Sequence, residues 1–234
     1  MNSNNRYTHM QKQFYMGGTT NHIEHNANPD YWDILLGDLK DGEKFKGKKA
    51  LDFACGKGRN VTNLLSLCEW ERVDGVDISK TNIEFCNEEY SDQKSKWFIN
   101  NGVDVTCIEE EEYDFIMSTI ALQHIPVYSI RRSLIADLLR TLKPGGIFCF
   151  QMGYGLDLQD PLGRPRSSYY EEIFEAHSTN SDHDVRVQNT KEICDDLIAI
   201  GFINITTTIR DAFSDAGHPS WIYIRCHKPV EEKI

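Results

Sequence analysis

From Lys48 onward, short apolar runs alternate with stretches whose apolar residues recur every three or four positions. That is the pattern of strands alternating with amphipathic helices. Ala50 to Cys55 (ALDFAC) predicts a buried strand, and Asn60 to Trp70 a helix with Val61, Leu64, Leu65 and Cys68 inward. Val73 to Ile78 is a second strand, after which Ser79 or Thr81 can cap a helix running through Tyr90. Trp97 to Ile99 and Tyr113 to Ser118 supply a third and a fourth strand. Ser129 to Leu142 reads as a helix with Leu134, Ile135, Leu138 and Leu139 inward; Lys143-Pro-Gly-Gly146 ends it, and Ile147 to Met152 is the fifth strand. Such alternation predicts a parallel sheet covered by helices on both faces, doubly wound through right-handed crossovers.

The end of the chain breaks that rhythm. Asn189 to Ile200 is a helix closed by Gly201, followed by strands at Phe202 to Arg210 and Trp221 to Cys226. Only about ten residues separate them, too few for a helical crossover, so they predict an antiparallel hairpin. The expected fold is α/β, a doubly wound, mostly parallel sheet of seven strands ending in that hairpin. Two segments stand outside it. Residues 1–46 are polar and rich in Asn and His until a short amphipathic helix at Tyr31 to Leu39, and are expected to form a helical cap over the site. Within the domain of residues 47–234, Gly153 to Gln188 is longer than an ordinary connection. It is expected to carry a short helix around Ser168 to His177 and to act as a lid, because long excursions at strand C-terminal ends tend to cover ligand sites.

Composition narrows the partners. The net charge of −11 argues against a nucleic-acid partner, whose phosphates call for a basic face. No apolar run approaches the roughly 20 residues of a membrane span, and no apolar leader opens the chain, so a cytoplasmic protein is expected. Seven cysteines with no Cys-x-x-Cys pair favour free thiols and no structural metal.

The chemistry is concentrated after the first two strands. In Leu51-Asp-Phe-Ala-Cys-Gly-Lys-Gly-Arg59, Gly56 and Gly58 permit a tight turn with close approach of a ligand. The helix after it offers unpaired N–H groups to an anion. Asp52, just before the turn, suits a cationic amine. Asp77 falls about twenty residues after the glycines, where an acidic side chain can accept hydrogen bonds from both ribose hydroxyls. Either feature alone is common as a mere turn or cap; their joint spacing, each after its own strand, points to a nucleotide-type cofactor.

ALDFACGKGRN and VDGVDIS resemble the first and second motifs of class I S-adenosylmethionine (SAM)-dependent methyltransferases; YDFIMSTIALQHIP and LLRTLKPGGIFCF resemble the fourth- and fifth-strand segments of that family. The resemblance runs from about Lys48 to His227, interrupted by the insert, and departs at Ala54, where the family commonly has Gly. It implies SAM as cofactor, with Asp52, Ala54, Gly56 and Gly58 at its methionine end. Asp77 would hold the ribose and Ile78 pack on the adenine. Gly102 and Val103 would sit near the adenine edge, a role open also to Asn101 or Asp104, and Ser118 and Thr119 beside the methionine part.

The acceptor is less determined. The segment Ser118-Thr-Ile-Ala121 lacks the Asp/Asn-Pro-Pro-aromatic, paired-glutamate and Pro-Cys signatures of nucleic-acid and protein-arginine methyltransferases. A small molecule is therefore expected, methylated on oxygen rather than nitrogen. His124 is the candidate general base, since a neutral imidazole can take a proton near pH 7. His22, His25, Tyr154 and Tyr169 are candidate acceptor contacts; metal binding by His22, Glu24 and His25 matches no strong signature. Tyr15, Tyr31 and Trp32 could close over the cofactor, and Arg164, Arg166 and Tyr170 of the insert are more simply solvated lid residues. The alternatives are a methyltransferase for nucleic acid or protein, a nucleotide-cofactor oxidoreductase, and a SAM-binding module without activity.

Overall fold

A computed structural model describes residues 3–16, 32–91, 93–160, 163–175, 183–211 and 218–230. The parallel core of its sheet is β1 (Lys49–Phe53), β2 (Arg72–Asp77), β3 (Trp97–Ile99), β4 (Tyr113–Ser118) and β5 (Leu142–Tyr154). Helices α3 (Arg59–Leu65), α4 (Lys80–Glu89) and α5 (Tyr128–Thr141) connect them, and α6 (Thr190–Ile200) leads into the antiparallel strands β8 (Ile203–Asp211) and β9 (Ser220–His227). The order β3-β2-β1-β4-β5 continues through β9, antiparallel to β5, to β8 at the edge.

Period-two alternation divides the core between the two faces of this sheet. Leu51, Phe53, Ile116, Phe148 and Phe150 pack on one face under α5 and α6, while Ala50, Phe115, Met117 and Cys149 pack on the other with Val61, Leu64 and Ile83. Helix limits follow local chemistry. Ser79 caps α4, its hydroxyl accepting from the Asn82 amide, and Asn189 with Glu192 forms a capping box on α6, which Gly201 ends in a left-handed conformation.

Four features differ from the sequence reading. The Lys143-Pro-Gly-Gly146 segment lies inside the span of β5: Tyr113 pairs with Leu142 and Phe115 with Ile147, so the segment bulges between the two pairs. The insert has no helix at its described residues 168–175. It instead adds two short parallel strands, β6 (Ser167–Ser168) and β7 (Val185–Val187), making nine strands among the described residues. Within the expected helical cap of residues 1–46, α1 (Ser3–Met16) was not placed; only Tyr7 and Gln11 are buried on it, so it has no apolar stripe to read. The expected Tyr31 to Leu39 helix is a shorter α2 (Trp32–Leu36) followed by a 3-10 turn at Gly37–Asp41.

One consequence of the topology positions the site. β4 pairs with β5 as far as Phe150, whereas β7 pairs with Gly153 and Tyr154, and β9 runs along the opposite edge of β5 past both. The insert strand β7 thus continues the line of β4 beyond its C-terminal end. Residues flanking β7 are thereby delivered to the loop that follows β4.

Candidate active site at the C-terminal ends of the strands

The turn after β1 is built by three consecutive left-handed positions at alternate residues: Ala54 at φ 60°, Gly56 at 54° and Gly58 at 86°. The two glycines have different reasons. A Cβ on Gly58 would lie 2.7 Å from the Tyr90 ring and 2.9 Å from the Trp97 ring, so packing forbids it; a Cβ on Gly56 would meet nothing within 4 Å. Gly56 therefore faces open space, as a backbone meant to be approached must. The following helix, α3, has seven residues and begins at Gly58 without a side-chain cap.

Asp52 lies behind this turn, fully buried at the end of β1. The Asn60 amide donates to its Oδ1 (3.2 Å) and to Thr119 Oγ1 (2.8 Å), tying β1 to the residue after β4. Asp52 Oδ2, Asn60 Oδ1 and Ser118 Oγ have no hydrogen-bond partner. Burial pushes the Asp52 carboxyl up to about 7, against the Asn60 hydrogen bond and the Arg59 charge, with the Asp77 charge adding to the rise. A buried carboxylate with one bare oxygen behind an open glycine turn fits the ammonium group of a SAM methionine moiety.

Asp77 ends β2 and already serves the protein. Its Oδ2 accepts from the Gly56 amide (2.8 Å) and its Oδ1 from the Ser79 amide (2.8 Å), locking the glycine turn to the start of α4. Burial still raises its pKa above the ordinary carboxylate value, against those backbone bonds. Ile78 meets Gly102, where a Cβ would come within 2.9 Å of Ile78 Cδ1 and 3.1 Å of Thr8 Cγ2. The small residue after β3 thus lets α1 close on Ile78. Val103 is half-buried beside it, while Asn101 forms the turn by accepting from the Val103 and Asp104 amides. The tail of α1 is held by Ser79 Oγ donating to the Tyr15 carbonyl (2.9 Å) and Thr81 Oγ1 to the Met16 carbonyl (3.2 Å).

The loop after β4 ends in a 3-10 turn, Leu122–His124. There His124 Nδ1 lies 2.7 Å from Asp184 Oδ1, from the residue immediately before β7, and Gln123 Nε2 is 3.5 Å from His124 Nε2. Burial pulls the His124 imidazole down, but the Asp184 charge and hydrogen bond, with the Ile120 carbonyl, hold its pKa above the ordinary histidine value; Arg166 opposes them. Tyr15, at the end of α1, is half-buried; burial raises its hydroxyl's pKa, and the charges of Asp184 and Asp77 raise it further.

The remaining candidates sort unevenly. Tyr154 is half-buried at the end of β5. Tyr169 is a correction: it is 1% exposed, its hydroxyl donates to Asp196 Oδ2 (3.0 Å), its carbonyl accepts from Arg131, and it packs edge-on against Tyr128, so its atoms are spent on holding α6. Arg164 and Arg166 are likewise not solvated lid residues, since both bond Asp160 inside the insert. His22, His25 and Tyr31 lie outside the described residues. Among the described residues no cluster could hold a metal ion, and no helix is long and apolar enough to cross a membrane. Asp184 was not anticipated; it follows a stretch without periodicity, and only the pairing of β7 brings it to His124.

Comparison with known proteins bears on the fold and on the domain. Residues 51–150 match the methyltransferase-domain family. Demethylmenaquinone methyltransferase of Staphylococcus aureus is 26% identical over 110 residues, 47% of this chain and 44% of that protein; the match thus spans less than half of the relative. A SAM-dependent methyltransferase from Mesorhizobium loti superposes with a TM-score of 0.61 at 17% identity, covering 88% of this chain and all 100% of its own. Phosphoethanolamine N-methyltransferase 2 of Haemonchus contortus, bound to phosphomonomethylethanolamine and S-adenosylhomocysteine, gives 0.61 at 18% identity over 93% of this chain and 56% of its own.

Proposed function

We propose that this chain, whose residues 51–150 match the methyltransferase-domain family and whose fold is shared with a SAM-dependent methyltransferase, moves the methyl group of SAM to the oxygen of a small-molecule acceptor. The names of the relatives do not agree on an acceptor, one being a demethylmenaquinone enzyme and the other an N-methyltransferase. The choice of oxygen rests on this chain's own residues.

One observation supports the reading: the Asn60 amide donates both to Asp52 in β1 and to Thr119 after β4, so the cofactor turn is tied to the loop that carries His124. Asp52 would hold the cofactor's ammonium group through its bare oxygen, Asp77 would accept from the ribose hydroxyls, and Ile78 with Val103 would flank the adenine. Ser118 and Thr119 would line the methionine part. SAM, when bound, supplies a methyl group on a cationic sulfur that leaves easily. The protein's task is then to align the acceptor, exclude water and take a proton. With Nδ1 engaged by Asp184, the lone pair of His124 Nε2, which lies 3.5 Å from the Gln123 amide, would turn to the acceptor. As the acceptor oxygen gains the methyl group, its proton passes to Nε2, and S-adenosylhomocysteine and the methylated product leave. An amine acceptor that arrives uncharged would need no such base during transfer. Tyr154 and the segment containing His22 and His25 are the residues we assign to acceptor contact, with α1 as the cover.

Isothermal titration with SAM and with S-adenosylhomocysteine tests the cofactor half. Micromolar binding of both is expected, and no binding by folded protein would remove the reading. A screen of hydroxyl- and amine-bearing acceptors with labelled SAM tests the other half. Turnover confined to amines would overturn the oxygen assignment.

A further inference from the structure

Asp184 lies between two histidines and is hydrogen-bonded to one of them. His124 Nδ1 is 2.7 Å from its Oδ1, and His218 Nε2 is 3.5 Å from its Oδ2. All three groups are enclosed: Asp184 is 2% exposed and His218 3%, and the His124 side chain is only 22% exposed. The two imidazoles differ in what faces them elsewhere. His124 faces the Ile120 carbonyl, the Gln123 amide and the Arg166 charge. His218 receives a hydrogen bond on Nδ1 from Arg186 Nε (3.3 Å), feels the charge of Arg166, and stands edge-on to the Trp221 ring.

The sequence has made room for this. Gly153, at the end of β5, is the position where an added Cβ would fall 2.1 Å from His218 Nδ1 and 2.3 Å from its Cε1. The ring therefore lies directly on the β5 backbone, and any larger residue at Gly153 would evict it. Arg186, in β7, is itself fixed by the carbonyls of Asp157 and Gln159. A glycine and an arginine from separate segments thus fix the His218 ring beside Asp184.

We propose that Asp184 is a positioning residue for His124, fixing the imidazole with its proton on Nδ1 and its lone pair on Nε2, where the 3.5 Å contact of the Gln123 amide would yield to the acceptor, and that His218 backs Asp184 at its other oxygen. This rests on the reading of His124 as the base. The chemistry of the donors fixes both tautomers. A carboxylate can only accept, so His124 must present Nδ1–H to it. Arg186 can only donate, so His218 Nδ1 must accept and its proton must sit on Nε2, the nitrogen 3.5 Å from Asp184 Oδ2. His218 then has no lone pair with which to compete for the acceptor's proton, while His124 does. Burial and the two arginines keep His218 below the ordinary histidine pKa despite Asp184, and Asp184 keeps His124 above it, so the two rings on one carboxylate are opposite in character.

The test is long-range proton–nitrogen NMR of histidine-labelled full-length protein over pH 5 to 9. In the wild-type protein the neutral form of His124 is expected as the Nδ1–H tautomer, and that of His218 as Nε2–H. His124 as Nε2–H would overturn the proposal without any variant having to fold. Asp184→Asn is expected to lower the His124 midpoint by roughly one pH unit or more and to let its Nε2–H tautomer appear. An unchanged midpoint and tautomer in folded Asp184→Asn would equally overturn it. S-adenosylhomocysteine titrated into the same samples separates the two readings. If it binds wild type and Asp184→Asn alike while the His124 signals change, the positioning role stands. If it binds neither while those signals change, the methyltransferase reading fails and the role of Asp184 toward His124 survives.

Discussion

Asp52 and Asp184 are both buried carboxylates at the C-terminal edge of one sheet, yet the protein treats them in opposite ways. Asp52, after β1, has one oxygen bonded to Asn60 and the other bonded to nothing, and burial lifts its pKa to about 7. Asp184, before β7, is desolvated too, but two histidines bring its pKa below the ordinary value. One half of the site is left incomplete by the protein and the other is completed from within. An unpaired buried charge is destabilising unless something pairs it, so the incomplete half is where a ligand must supply the missing group. The completed half is where geometry must already be correct before a ligand arrives.

The sharpest way to break this comparison is inside the cofactor turn, where Gly56 is open and Gly58 is packed. Gly58→Ala would drive a Cβ against Tyr90 and Trp97 and force alanine into a left-handed conformation. The expected loss is about 2–4 kcal/mol of stability in urea unfolding. Gly56→Ala meets only the conformational term, about 1–2 kcal/mol, but places a methyl where the cofactor is to lie. It should therefore retain most of its stability and lose most of its SAM affinity. If both variants lost stability alike, the space before Gly56 would not be open.

Next in size is Asp52→Asn. Removing the charge that pairs the ammonium should weaken SAM binding by about 1.5–3 kcal/mol, a ten- to hundredfold rise in Kd by calorimetry. The unliganded protein should become no less stable above pH 7, because a bare charge has gone. Loss of both affinity and stability would mean that Asp52 is paired by the fold after all.

The same carboxylate sets a pH dependence of about tenfold. A folded-state pKa near 7, against an ordinary value of 3.8, means that the folded protein holds a proton that the unfolded chain has released. Its contribution to stability is therefore full below about pH 3.8 and is lost as pH rises toward 7. Asp184, with its pKa lowered, acts in the reverse sense: its contribution is present above the ordinary carboxylate value and is lost as pH falls through the folded one. In the proposed role SAM would pair with the ionised form of Asp52, so its Kd should fall about tenfold between pH 6 and 8, with release of a proton. A flat profile in wild type, or a tenfold slope retained in Asp52→Asn, would remove Asp52 from the ammonium site.

The two halves were also unequally legible in the sequence. Asp52, Gly56, Gly58 and Asp77 are read directly because they follow strands at fixed offsets, and a strand's end and a turn's glycines are local properties of the chain. Even there the sequence did not reveal that both oxygens of Asp77 already accept backbone amides, since those bonds cross from one turn to another. The acceptor half depends on long-range pairing. His124 could be located because it follows β4, but Asp184 and His218 come from segments without periodicity, and they meet only because β7 extends the line of β4 along β5. Tyr169 was misread for the complementary reason. A tyrosine in a lid resembles a ligand contact until its hydroxyl is seen on Asp196. Gly153 carried a readable hint, since a glycine at the end of a buried strand implies close approach of another group, though not which one.

The smallest predicted effect tests whether Ala54 is a compromise on the incomplete side. Its φ of 60° is the left-handed region, where an alanine Cβ crowds the following carbonyl and glycine does not. Nothing in the turn relieves that strain, because Cys55 on its other side is bonded to the Val76 carbonyl and fixes the path of the chain. Ala54→Gly should therefore stabilise the protein. The gain is about 0.5–1 kcal/mol, since the larger entropy of glycine in the unfolded chain offsets part of the relief. SAM affinity should be unchanged, or improve slightly, because the backbone path stays as it is and only a methyl group is removed. A loss of stability would mean that the packing of the Ala54 methyl against the core outweighs its strain, and that alanine is there to hold the turn in shape between ligands.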